Sequence, residues 1–240
     1  KSLSVEIKKG EILAIVGASG SGKSLLAHAI MDILPPNAMV KGEISYKEKV
    51  LDKKNIGALR GTEIAFIPQS VNYLDPSMKV KNQVRIGLHE TKERNRQLQE
   101  ALFEKYGLKK TDGELYPYQL SGGMLRRVLF ATCVKQGIQL IIADEPTPGI
   151  HKEALDMVLK QLRDFADQGM GVMLITHDII SAVRIADYIS VFKDGANIET
   201  APANFFEGKG ERLKEQYTRN LWLALPQNEF LRGEANGIGS

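Results

Sequence analysis

Residues 17–24 read GASGSGKS, preceded by EILAIV and followed by LLAHAIMDIL. No other stretch restricts the possible folds as tightly. EILAIV is a short, branched, apolar run of the kind that forms a strand buried on both faces, and glycine stops it. The following segment has helical spacing through Leu26, Ile30 and Ile33, with Pro35-Pro36 as the expected stop. Between strand and helix, the glycines let the backbone curl so that successive N–H groups point at one anion. The helix start adds the positive end of its dipole. The stretch fits G-x-x-x-x-G-K-[ST], the phosphate-binding P-loop, in the strand–loop–helix context that the motif requires. Gly17, Ala18, Ser19, Gly20, Ser21, Gly22, Lys23 and Ser24 are therefore the candidate cradle for nucleotide phosphates. Lys23 is expected to reach the β and γ phosphates and Ser24 to ligate Mg²⁺. The competing reading is a glycine-rich turn with a structural role only.

The remaining chain supplies the sheet that such a loop needs. EIAFIPQ (63–69), QLIIADE (139–145) and GVMLITHD (171–178) repeat the buried-strand pattern, and KEALDMVLKQLRDFADQG reads as a crossover helix between the last two. KGEISYKEKV (41–50) alternates like one exposed strand. From about Val71 to Gln136 the sequence turns charged and helical, as in HETKERNRQLQEALFEKYG. The predicted class is α/β: a P-loop NTPase (RecA-like) core with a mostly parallel sheet, a small antiparallel β part and an inserted α-helical subdomain. The boundaries expected are 1–70 and 137–201 for the two parts of the core, 71–136 for the helical subdomain and 202–240 for a C-terminal extension. The last residues, GEANGIGS, have a disordered composition.

Composition narrows the setting. The 240 residues carry a formal net charge of +3 with acids and bases interleaved, so no basic stripe argues for nucleic acid. The single cysteine, Cys133, leaves no internal disulfide and fits a reducing compartment. No apolar run reaches the roughly 18 residues needed to cross a bilayer. The chain starts at Lys1 without a signal peptide, and the expectation is a soluble, intracellular protein.

QLIIADEPTPGIH (139–151) ends a buried strand in two carboxylates. Ligands of open parallel sheets collect beyond the carboxyl ends of the strands, where the P-loop also lies. A carboxylate there can hold Mg²⁺, which suits Asp144, and a second can orient or deprotonate an attacking water, which suits Glu145. A solvated acidic strand end is the plainer alternative.

LSGGM (120–124) immediately precedes the helical pattern LRRVLFATCV, making Ser121, Gly122 and Gly123 a second helix start suited to phosphate. ITHD (175–178) places His177 just after another buried strand. Together with the P-loop, Gln69 after AFIP, and LIIADEPT, these motifs resemble the ATP-binding-cassette ATPases in the same order over residues 1 to about 200. The resemblance implies that Gln69 is the Q-loop glutamine, touching Mg²⁺ and sensing a transmembrane partner. It also implies that Glu145 is the catalytic glutamate and His177 the switch histidine at the γ-phosphate. Ser121 and Gly123 correspond to signature residues that close over the nucleotide of an opposing subunit. His28 and His89 lack such company and are read as structural. The histidines and Cys133 show no metal-ligand spacing.

SVNYLDPSMKVKNQV, the methionine after the signature glycines, and YTRNLWLALP are similar to the oligopeptide, dipeptide and nickel importer ATPases within that family. The implied cofactors are ATP and Mg²⁺. The implied partners are a second ATPase subunit in a heterodimer, two transmembrane permease subunits and, indirectly, an extracytoplasmic solute-binding protein, with the chain peripheral at the cytoplasmic face of the membrane. No cysteines stand near the C-terminus for the iron–sulfur cluster that some members carry. The aromatic residue that stacks on adenine in the family would lie upstream of Lys1. His151 occupies the place of the aspartate usual after DEPT, and an imidazole does not replace a carboxylate acceptor like for like. A non-transport cassette acting on DNA or ribosomes is the alternative in another class. A small-molecule P-loop kinase would leave LSGGM and His177 unexplained.

Overall fold

The computed structural model describes residues 3–146 and 152–228. Along the chain run β1 (Ile12–Gly17), α1 (Lys23–Ile30), β2 (Ser45–Tyr46), β3 (Lys49–Val50), α2 (Lys53–Leu59) and β4 (Ile64–Ile67). Next come α3 (Val80–Arg85), α4 (Lys92–Lys105), α5 (Gly122–Cys133), β5 (Leu140–Asp144) and α6 (Lys152–Asp167). The chain ends with β6 (Gly171–Thr176), α7 (Ile179–Ile185), β7 (Tyr188–Lys193), β8 (Ala196–Pro202) and α8 (Gln216–Leu223). Two compact units result, one of residues 1–28 with 159–240 and the other of 29–158, the division falling within α1 and α6.

In the first unit β1 lies between β6 and β7 and is parallel to both, with Val16 opposite Thr176 and Val191. Every residue of β1 and of β6 is buried, which is why both read as unbroken apolar runs. β8 runs antiparallel to β7 through a turn at Asp194 and Gly195, whose φ angles are 49° and 77°. At the other end of β1, Arg163 of α6 donates to the Gly10 carbonyl (3.2 Å) and to Asp187 (2.9 Å). Asp187 in turn accepts the Ile12 N–H at 2.7 Å. This pins the entry of the central strand.

In the second unit β4 and β5 are parallel, Ile64 to Ile67 standing opposite Leu140 to Ala143. The stretch 71–136 contributes α3, α4 and α5, packed through the buried side chains of Val80, Val84, Phe103, Val128 and Leu129. Gln83, also buried, ties down the preceding loop: it accepts from Asp75 N–H at 2.9 Å and donates to the carbonyls of Asp75 and Met78.

The chain is thus α/β with mostly parallel strand pairing and a small antiparallel part. Two local expectations need correction. The segment 41–50 is not one strand but a tight hairpin of β2 and β3, turned by Lys47 and Glu48 at φ 49° and 63°. Salt-bridging of Lys47 to Glu63 at 2.5 Å, with Tyr46 donating to the same carboxylate, accompanies that left-handed turn. Helix α1 does not continue to Pro35 but ends at Ile30, because Asp32 adopts φ 49° and its N–H turns back to the Ala29 carbonyl. The tail GEANGIGS lies outside the described residues, and so does His151. Among the described residues no helix is long and apolar enough to cross a membrane.

Candidate functional site

The sequence-predicted residues divide between the two units: 17–24 and His177 belong to the first, and Gln69, Ser121, Gly122, Gly123, Asp144 and Glu145 to the second.

In the first unit β1 delivers the glycine-rich loop. A Cβ on Gly17 would stand 2.3 Å from the Phe192 carbonyl oxygen, so only glycine allows the strand to lie this close to β7 where the loop departs. Gly20 and Gly22 hold φ of 79° and 95°, and these bends turn the chain from strand into helix. Ala18 and Ser19 are exposed, whereas Ser21 is buried and its Oγ makes no hydrogen bond among the described residues. Lys23 is only 4% exposed, and its ammonium donates to the carbonyls of Gly17 and Ala18 at 2.9 Å each. A buried ammonium in a loop of exposed backbone, followed by the Ser24 hydroxyl, forms a donor set suited to a phosphate chain.

His177 follows β6 directly and is exposed. Because Val16 pairs with Thr176, Gly17 and His177 leave neighbouring parallel strands at the same level. Asp178 caps α7 by accepting from the N–H groups of Ile180 and Ser181, and Thr176 Oγ1 accepts from Asp178 N–H at 3.0 Å. The turn that presents His177 is therefore held on both sides.

In the second unit Gln69 and Glu145 each stand two residues beyond a paired position, Ile67 opposite Ala143. Gln69 Nε2 lies 3.4 Å from Glu145 Oε2, and strand register places the two residues side by side. Asp144, the last residue of β5, is 5% exposed. Glu145 adopts φ 43°, a left-handed conformation that costs a non-glycine residue about 1–2 kcal/mol. Such a turn swings the side chain out of the line of the strand.

Ser121 is the N-cap of α5, its Oγ accepting from Met124 N–H at 3.3 Å. Gly122 and Gly123 open the helix, and a Cβ at either would meet nothing within 4 Å. Internal packing therefore does not require glycine at either position. One turn further, Arg126 is 6% exposed and its Nη1 donates to the Gln69 carbonyl at 3.2 Å. Burial pulls its guanidinium below the ordinary arginine value. In the sequence, a charged Arg126-Arg127 pair within a helical run reads as a solvated face and gives Arg126 no signal. Buried Leu129 and Phe130, three and four residues on and so on the same face of α5, are the available signal.

The comparisons with known proteins agree on one group. A family model described as "ABC transporter" matches residues 1–148. The oligopeptide transport ATP-binding protein OppD of Lactococcus lactis subsp. cremoris (strain SK11) is 34% identical over 243 residues, covering 95% of this chain and 70% of that protein. OppD of Bacillus subtilis (strain 168) is 32% identical over 244 residues, covering 95% and 67%. The glutathione import ATP-binding protein GsiA of Salmonella typhimurium is 31% identical over 260 residues, covering 98% of this chain but 40% of that protein. Among solved structures, the dimeric structure of MJ0796, a bacterial ABC transporter cassette, has a TM-score of 0.74 at 27% identity, over 85% of this chain and 90% of that one. A post-hydrolysis state of the same cassette, bound to ADP and Pi, matches equally well.

Proposed function

The chain belongs to the ABC transporter family, and from that membership we propose how its residues serve an ATP-hydrolysing importer subunit. Bound ATP with Mg²⁺ supplies the γ-phosphoryl group and the charge that orients it. Main-chain N–H groups of residues 17–24 and the Lys23 ammonium bind the phosphates. The oxygens of Ser24, Gln69 and Asp144 are hard donors of the kind Mg²⁺ takes. Glu145 accepts a proton from the attacking water, Gln69 orients that water beside it, and His177 binds the γ-phosphate oxygens. Ser121, Gly122 and Gly123 serve a nucleotide held by an opposing ATPase subunit.

The observation that carries this reading is the Gln69–Glu145 pair. An amide and a carboxylate are brought to 3.4 Å by strand register, and the carboxylate sits on a left-handed residue. A solvated strand end needs neither feature. The unobstructed Gly122 and Gly123 add support, since nothing inside the unit uses their missing side chains.

The partners proposed are a different ATPase subunit, two permeases, and through them a solute-binding protein, with the chain peripheral on the cytoplasmic face of the membrane. The cargo proposed is an oligopeptide, nickel or a metal chelate, peptide being favoured by the names of the OppD relatives. The test is phosphate release from ATP, with and without Mg²⁺, by wild type and by Lys23→Ala. It is joined to peptide uptake into vesicles carrying the chain with its permeases. Mg²⁺-dependent hydrolysis, nucleotide binding weakened at least tenfold in Lys23→Ala, and ATP-driven uptake are expected. Unchanged ATP affinity in Lys23→Ala would overturn the assignment of the loop.

A further inference from the structure

We propose that Arg126 is a positioning residue for hydrolysis: through the Gln69 carbonyl it links the start of α5 to the Gln69–Glu145 pair. The inference rests on the roles given above to Gln69 and Glu145, and it concerns a residue to which the motifs assign nothing.

Burying a guanidinium is unfavourable unless it is well paired. Arg126 is 6% exposed, no carboxylate among the described residues lies within ion-pair distance of it, and its Nε is buried without a hydrogen-bond partner. Its neighbour Arg127 shows the ordinary alternative: it is half-buried and donates to the Gly107 carbonyl at 2.9 Å. For stability alone, an apolar side chain would serve better at position 126.

Among the described residues, the acceptor Arg126 reaches is specific. Ladder pairing of β4 with β5 ends at Ile67, Pro68 has no N–H, and Ser70 begins a new turn by capping residues 71–73. The Gln69 peptide therefore lies between two ordered elements, and the Nη1 bond at 3.2 Å fixes its carbonyl. Fixing the carbonyl fixes the direction in which the Gln69 side chain leaves, and that side chain meets Glu145 at 3.4 Å. Arg126 and Ser121 ride on the same helix, five residues or about 7.5 Å of axis apart. A displacement of the helix start is thus delivered to the Gln69 carbonyl with little room to dissipate.

The experiment compares wild type with Arg126→Met, Arg126→Lys, Gln69→Ala and the Gln69→Ala/Arg126→Met double variant. ATP affinity, turnover and melting temperature are measured on the full chain, alone and with the subunits that co-purify with it. Arg126→Met is expected to keep ATP affinity within twofold and to melt no lower than wild type, yet to lose about tenfold in turnover. Arg126→Lys, which can still donate to a carbonyl, should recover part of the loss. In the Gln69→Ala background the same substitution should cost less than twofold, because the group it positions is gone.

Turnover of both Arg126 variants within twofold of wild type would overturn the proposal. A full tenfold loss persisting on the Gln69→Ala background, or a loss matched by weaker ATP binding, would do so as well. If Arg126→Met does not fold, Arg126→Leu, which also cannot donate, takes its place: turnover near wild type counts against positioning, and reduced turnover with normal affinity counts for it. Glu145→Gln separates this from the underlying roles. Wild-type turnover in that variant removes the pair itself, whereas an inactive Glu145→Gln beside a fully active Arg126→Met removes only the positioning.

Discussion

The side-chain amide of Gln69 stands 3.4 Å from the Glu145 carboxylate, although 76 positions of sequence separate the two residues. The distance follows from register: β4 and β5 are parallel and end level, so the residues just past each strand face one another. Glu145→Gln keeps the shape and removes the proton acceptor. ATP should bind within about threefold of wild type, while turnover falls roughly 10²–10⁴-fold, the usual share of a general base. Equilibrium nucleotide binding and steady-state phosphate release on the same preparation check both halves.

Gly17→Ala tests the close approach of β1 and β7. The added methyl would lie 2.3 Å from the Phe192 carbonyl oxygen, a backbone atom that cannot rotate away. A loss of about 1–3 kcal/mol is expected from the forced separation, together with loss of ATP binding because the strained point is the root of the loop. Thermal melting and nucleotide titration read the two effects. Normal ATP affinity would show that the loop tolerates a shifted strand.

Arg163→Met should affect stability without touching the nucleotide. It removes the bonds to Gly10 and Asp187 at the start of β1, about 20 Å of strand from Gly17. Allowing for partial exposure of both charged groups, about 1–2 kcal/mol is expected, or a melting point lower by roughly 2–8 °C. ATP affinity should not change.

Cys133 is a chemical probe of packing in the second unit. Cys133 is half-buried as a residue, yet desolvation of its thiol pushes it up to about 12, opposed only in part by the charge of Lys135. At pH 8 the reactive thiolate is then much scarcer than for a free cysteine with its usual value near 8.5. Alkylation by iodoacetamide should be correspondingly slow in the folded chain and fast in urea. Comparable rates in both would mean that the thiol is not desolvated.

The parts legible in the sequence share one property: a residue type that burial or geometry demands. β1, β4, β5 and β6 read as apolar runs because strands covered on both faces leave little room for polar residues. The turn at Asp194-Gly195 is equally legible, being an Asp-Gly pair between alternating segments, and it marks the β7–β8 hairpin that the buried-strand pattern alone misses. The hairpin at Lys47 and Glu48 had no such signature. Neither residue type favours a positive φ, and only the meeting of Lys47 and Tyr46 with Glu63 identifies it. The early stop of α1 at Asp32 was masked by the stronger proline signal three residues on. Of the candidate site, the phosphate loop and both carboxylates were visible as motifs. Arg126 was not, because an unpaired buried guanidinium contradicts the pattern by which charged residues are assigned to the surface.

β1 holds residues 12–17, yet its partners β6 and β7 begin at Gly171 and Tyr188. On a ribosome, β1 is made well before either neighbour, with about 155 residues between Gly17 and the start of β6 at Gly171. At roughly 5–20 residues per second that interval lasts about 8–31 s. During it, an unpaired and wholly apolar strand is open to pairing with other chains. Synthesis that stalls before Gly171 therefore leaves β1 with neither neighbour. Biogenesis is exposed to chaperone supply through β1, and synthesis of β6 and β7 ends that exposure.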